Sequence, residues 1–321
     1  MRRYALDLAN GAALVLAVAL ASWGASSRLE LTRTRTRAAP RAQELVVEHG
    51  ADGRPALRDA QGVLVPLVHY ERIVSATLAA DRVLADLCEP DRIVAFTRYA
   101  GRTAQAHRFA GKRAIDARDG LEHILALRPD LLLVSELFDP SYTARLREHG
   151  VAVFDIGALQ GLRTLSRQIE QIGLLLGASE RARRYAEALT RRMQAVTGAG
   201  QKLPRRRALY LGVYGARLFG GAAATSYHDV IESAGLRDAA AEAGLSGWPE
   251  LTSERVLAMD PDLVITRTGM AAIVCRHPGL ERIAPCTGEG RTIELDGQLL
   301  DDPGPGMLEA AEALRAASLH H

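Results

Sequence analysis

Two α/β lobes with parallel sheets, joined by a helical connector, are what this sequence predicts. Residues 122–131 read EHILALRPDL and residues 254–263 read ERVLAMDPDL, identical at six of ten positions at an offset of 132. A repeat at that distance means two similar lobes, since a solenoid would repeat every 20 to 50 residues or so. Strand-like and helix-like segments alternate around both copies, the pattern of a parallel sheet covered by helices. Between the copies, Leu162 to Leu176 and Glu180 to Val196 are helical in period and meet at Gly177. The chain has 321 residues, about twice a typical domain.

Taken in order, the chain opens with Arg2 and Arg3, the apolar run Ala12 to Ala21 and the small residues SWGASS. That order reads as a secretory signal peptide over residues 1–27, with cleavage between Gly24 and Ser27. The apolar run is short for a membrane helix, which needs about 20 residues. Arg28, Arg33, Arg35 and Arg37 follow it and oppose export, so an uncleaved anchor is the alternative. No cysteine lies there to carry a lipid. Residues 28–43, rich in Arg and Thr, read as a linker.

Residues 44–161 form the expected N-terminal lobe, beginning with a hairpin-like lead-in over 45–67. Strands are predicted at 72–76, 92–96, 131–135 and 151–156, with helices near 78–88, 121–127 and 140–149. Each repeat copy is a short amphipathic helix stopped before a proline and followed by a buried strand. Residues 162–200 are the connecting helices; Ala182, Tyr185, Ala186, Leu189, Met193 and Val196 form an apolar stripe at helical spacing. Residues 201–321 form the second lobe, with strands at 208–214, 263–267 and 291–295 and helices near 226–234, 252–259 and 306–317. Thr252 and Ser253 are N-cap candidates for the second repeat helix.

Composition excludes several classes. The chain is 48% hydrophobic and 24% charged, as a soluble globular protein is. A net charge of +2 makes no case for nucleic acid. Three cysteines with no C-x-x-C pair suggest neither a disulfide scaffold nor zinc. Scattered histidines lack the H-E-x-x-H spacing, GARLFGG lacks the Gly-Lys-Ser/Thr ending of a phosphate loop, and no G-x-S-x-G elbow occurs. No catalytic residue, metal site or cofactor is expected. Cys275 and Cys286, eleven apart, are candidates for a disulfide in an oxidising compartment; Cys88 reads as a buried free thiol.

An export signal, a β lead-in, RIVSATLAADRVLADL, GLEHILALRPDLLLVSE, a long helix and then SGWPELTSERVLAMDPDLVIT carry a resemblance. Over Leu45 to Leu319 the chain resembles the periplasmic substrate-binding proteins of ABC importers for cobalamin, haem and iron–siderophore complexes. The resemblance implies two Rossmann-like α/β lobes bridged by a long α-helix, with a metal chelate held in the cleft. It implies a permease partner in the inner membrane, a periplasmic location and a monomer. By motif position, Glu122 and Glu254 are the glutamates that dock on permease arginines, one on each lobe. Their other role is the helix dipole's preference for acid in a first turn.

Ligands of parallel sheets lie beyond the carboxyl ends of strands. The residues expected there are Arg98, Tyr99 and Arg102 after one strand, Glu136 after the next, and Tyr214, Arg217, Trp248 and Arg267 in the second lobe. Tyr99 and Trp248 match ring-packing aromatics of cobalamin binders, and aromatic faces suit a large flat chelate. Arginines suit its anionic groups. The loop IDARDG offers Arg118 where cobalamin binders carry a Trp, and Tyr99 is the nearest match to an iron-ligating Tyr of haem binders. The alternatives to a binding protein are an exported enzyme or a membrane-tethered sensor on the same scaffold.

Overall fold

The computed structural model describes residues 45–100, 106–116, 119–200 and 205–319. The expected signal peptide and linker lie outside them, as do Arg102 and Arg118. The lead-in is a three-stranded antiparallel sheet, β1 (Val47–His49), β2 (Pro55–Arg58) and β3 (Leu64–Pro66). It is fastened to the first lobe by buried Asp59, whose Oδ2 accepts from Arg147 Nη2 at 2.8 Å.

The first lobe contains β4 (Ile73–Ser75), α1 (Leu78–Leu87), β5 (Ile93–Thr97), β6 (Arg113–Ile115), α2 (Leu121–Ala126), β7 (Leu131–Val134), α3 (Pro140–Glu148) and β8 (Ala152–Asp155). Its sheet has the order β6-β5-β4-β7-β8, every pair parallel. β4 and β7 are buried on both faces. That is why they read as unbroken aliphatic runs rather than as alternating ones. Burying each such Leu, Ile or Val gives about 1.5–3 kcal/mol relative to exposure.

The connection is a helical hairpin, α4 (Leu162–Leu176) and α5 (Ser179–Gly200). Gly177 makes the corner in the left-handed region at φ 71°, a conformation that favours glycine. The expected bridge is therefore the 22-residue α5 with α4 folded back against it.

The second lobe runs β9 (Arg207–Tyr210), β10 (Gly212–Tyr214), β11 (Arg217–Phe219), α6 (Ser226–Ser233), β12 (Arg237–Asp238), α7 (Ala239–Glu242), β13 (Glu250–Leu251), α8 (Ser253–Met259) and β14 (Leu263–Arg267). It ends with α9 (Ala271–Cys275), α10 (Ala284–Thr287), β15 (Arg291–Leu295), α11 (Gly297–Leu300) and α12 (Gly306–Leu319). β12-β9-β14-β15 is a parallel sheet, and β10-β11-β13 is a small antiparallel one. The single strand expected at 208–214 is thus two. After Leu211, whose N–H donates to Ile265 O at 2.9 Å, the chain leaves the parallel sheet and pairs with β11 instead.

The repeat is exact in its joints. In each copy the residue two before the aspartate of Pro-Asp-Leu is left-handed, Arg128 at φ 48° and Asp260 at φ 44°. Asp130 accepts from the backbone N–H of Glu71 and Arg72 (2.6 and 2.9 Å), and Asp262 accepts from that of Arg207 (2.7 Å). Arg72 caps the carbonyl of Leu127, and Arg207 that of Met259. Each aspartate therefore clips its own strand, β7 or β14, to the start of the lobe's first strand.

A single buried cluster runs from Leu84 and Phe96 through Leu165, Ile169 and Met193 to Tyr210, Tyr227 and Leu314. Arg82 on α1 crosses to the second lobe, 3.4 Å from Asp302 and 2.6 Å from Glu309.

Candidate functional site

In sheets of this kind the winding direction reverses between two adjacent strands, and the loops leaving their carboxyl ends diverge to open a crevice. In the first lobe those strands are β4 and β7; in the second they are β9 and β14. Glu136 and Leu137 follow β7, and Leu137 is 77% exposed. Glu136 is tied down, its Oε1 accepting from Leu159 N–H at 3.1 Å. Arg98 and Tyr99 follow β5, the next strand out; Arg98 is ion-paired with Asp116, and Tyr99 is exposed.

The second lobe gathers more. Arg267 closes β14, and its Nη2 donates to Tyr214 Oη at 2.6 Å. The guanidinium carbon stands 5.4 Å from the Tyr214 ring centroid. Asp301 holds that guanidinium at 2.7 Å and accepts from Tyr227 Oη at 2.6 Å. Tyr227 stacks on Tyr210 with centroids 3.9 Å apart, and Trp248 meets Tyr227 edge-on at 4.9 Å. Tyr210 and Tyr227 are buried, while Tyr214 and Trp248 remain 52% and 56% exposed. Trp248 thus stands on the buried pair, while the Tyr214 ring meets Phe219 edge-on at 5.6 Å.

Electrostatics follow burial. Desolvation raises the Asp301 carboxyl above its usual range, against the lowering by the Tyr227 hydroxyl and Arg267. Burial pushes Tyr210 up to about 12 and Tyr227 higher still, so both rings stay neutral phenols at physiological pH. The arrangement offers two aromatic faces, a phenol oxygen already accepting from a cation, and a guanidinium oriented by a carboxylate.

The structure brings Tyr214, Trp248 and Arg267 together through Tyr227 and Asp301. Arg217 starts β11 and lies 3.6 Å from exposed Glu250, a pairing of about 0–1 kcal/mol in water. The sequence reading missed Tyr210, Tyr227 and Asp301. Tyr210 lies in an apolar strand and Tyr227 in an amphipathic helix, where either reads as core.

Glu122 and Glu254 both stand exposed in the first turns of α2 and α8. Thr252 is the N-cap of α8, accepting from Arg255 N–H at 3.3 Å. The Glu254 carboxyl is held below its usual range by its own backbone N–H and the Thr252 hydroxyl. Cys275 and Cys286 are disulfide-bonded, with Cα atoms 5.3 Å apart, and Cys88 is a buried free thiol. A cavity of about 450 Å³ lies at the other end of β9, beside Arg207, Glu242 and Arg255, away from the strand carboxyl ends. Among the described residues no three His, Cys, Asp or Glu side chains converge as for a bare metal ion, and no helix is long and apolar enough to cross a membrane.

The family profile described as periplasmic binding protein matches residues 73–299, which span both parallel sheets. The chain belongs to that family. Similar proteins include a cobalamin-binding protein of Halobacterium salinarum, 25% identical over 255 residues, covering 74% of this chain and 67% of that one. An uncharacterized ABC transporter substrate-binding lipoprotein of Bacillus subtilis is 22% identical, over 62% of this chain and 65% of its own length. This periplasmic binding protein thus spans about two thirds of those relatives. A periplasmic haem-binding protein from Pseudomonas aeruginosa shares the fold with a TM-score of 0.66 and 26% identity, over 77% of this chain and 92% of that one. These relatives are named as binding proteins, and solute binding is the role they support here.

Proposed function

We propose that this protein is the solute-binding component of an ABC importer, capturing a metal-chelate nutrient between its lobes outside the cytoplasmic membrane. The chelate is cobalamin, haem or a ferric siderophore. The observation that carries the reading is the group formed by Tyr214, Trp248 and Arg267, linked through Asp301 and buried Tyr227, at the second lobe's switch point. Exposed rings suit the face of a flat macrocycle, and Arg267 suits an anionic edge. Tyr99, Glu136 and Leu137 face the chelate from the first lobe, with Arg98 and Arg217 at the rim. Tyr214 replaces Tyr99 as the oxygen suited to ferric iron, because a guanidinium donating to it offsets the charge that a metal-bound phenolate carries. Glu122 and Glu254 dock the loaded protein on the permease.

Titration of the purified protein with haemin, cyanocobalamin and a ferric siderophore tests this. At least one should bind and quench Trp248 emission, and Trp248→Ala should weaken it by about 1–3 kcal/mol, the scale of a buried aromatic contact. With haemin, Tyr214→Phe should shift the visible absorption bands. Binding of none of the three overturns the reading, and equal affinities for wild type and Trp248→Ala remove Trp248 from the site.

A further inference from the structure

The hairpin that presents Tyr214 is slight. β10 and β11 are three residues each, and the turn at Gly215 and Ala216 is exposed. The His277 side chain reaches that turn from outside the hairpin. His277 Nε2 lies 3.1 Å from Ala216 O and carries the proton there, since a carbonyl can only accept.

His277 is itself firmly held. It stands two residues past Cys275, in the segment that the Cys275–Cys286 disulfide closes. Leu280 and Ile283 of that segment enter the same apolar cluster as Leu218 of β11 and Leu251 of β13. On its other side the segment lies against the start of α8: Ser253 Oγ donates to Pro278 O at 2.6 Å, and His277 Nδ1 is 3.4 Å from the same hydroxyl. Gly279, at φ 88°, permits this approach, because a Cβ there would come within 2.9 Å of Ser253 Cβ. Ser253 precedes Glu254.

We infer that His277 is a positioning residue for the ligand site. It fixes the Tyr214 hairpin against the disulfide-closed segment and thereby against the first turn of α8. The inference rests on the reading of Tyr214 as a ligand-facing residue, and adds the His277 imidazole and the disulfide-closed segment to the groups that set the hairpin's position. The same imidazole touches both the hairpin and the neighbour of Glu254, so the ligand-facing and permease-facing elements of this lobe share a support.

Amide hydrogen exchange over residues 212–219, measured beside haemin and cyanocobalamin titrations, tests it. His277→Ala should speed exchange in that hairpin by roughly five- to tenfold, the loss of one hydrogen bond, and weaken whichever probe binds by a similar factor. Exchange in the parallel-sheet strands should not change. His277→Gln, whose amide nitrogen reaches where Nε2 stands, should restore both readouts, and the double change Cys275→Ser with Cys286→Ser should reproduce the loss. Unchanged hairpin exchange in His277→Ala overturns the inference, as does faster exchange spread over the whole lobe. If wild type binds neither probe nor a ferric siderophore, the ligand reading fails, and hairpin exchange alone still decides whether His277 holds the hairpin.

Discussion

Asp81 lies on the first turn of α1 with no solvent exposure. Burial pushes its carboxyl up to about 7, although Thr97 and Ser75 hydroxyls and the Thr97 amide stabilise the anion. Asp302, equally buried, is pushed up to about 6 for the same reason, with Arg82 opposing. An acid whose folded value exceeds its unfolded value binds its proton more tightly in the fold. Its contribution is therefore fully present below the unfolded value near 3.8 and is lost as pH rises through about 7. Asp81→Asn carries no such proton. The stability of wild type minus that of the mutant should fall with pH between 5 and 7, by at most about 1.4 kcal/mol per unit, and level off above. Urea denaturation at several pH values measures it, and a difference independent of pH would show that burial does not perturb Asp81. Ordinary surface titrations, such as Glu48 beside Arg58, are common to both proteins and cancel.

At the scale of elements, the two repeat units are built around the same clip. Asp130 accepts two backbone N–H groups from the chain entering β4, and Asp262 accepts one from the chain entering β9. Removing an acceptor strands its donors, at about 1–3 kcal/mol for a buried group and less for one near water. Asp130→Ala should cost more than Asp262→Ala. The double mutant should cost their sum within about 0.5 kcal/mol, because the clips are in different lobes and share no partner. Strong non-additivity in denaturation would mean that the clips are coupled. The Pro-Asp-Leu repeat was legible as a helix stop followed by a strand. That its aspartate reaches back some 58 residues to an earlier strand was not.

The two lobes are joined by a core continuous across the connecting helices and by Arg82, buried between them with Asp302 and Glu309. A charge in that position is weak evidence for stability, but removing its partner Asp302 would leave a costly buried ion. Carboxylates at matching places on two lobes suit a two-point contact, with Glu122 on one and Glu254 on the other. Replacing both by Ala should leave the affinity for the bound chelate unchanged and impair uptake in cells. Normal uptake by the double mutant would remove them from docking.

The sequence by itself determined the two lobes, the parallel sheets, the helical connection and the pairing of repeat helices, because these follow from hydrophobic period and local stop signals within ten or so residues. It also marked Tyr214 and Arg267, since strand ends are readable wherever an aliphatic run stops, and Trp248 as an indole on the loop before the second repeat helix. Only the tertiary structure decided what those residues touch. Asp301 joins Arg267 across 34 residues and Tyr227 across 74. The run at 208–214 divides between two sheets because β11 competes for its second half. Arg98, a candidate ligand contact, meets Asp116 across the loops after β5 and β6. Pairings of this kind depend on which strands the chain places side by side, and no local period encodes that choice.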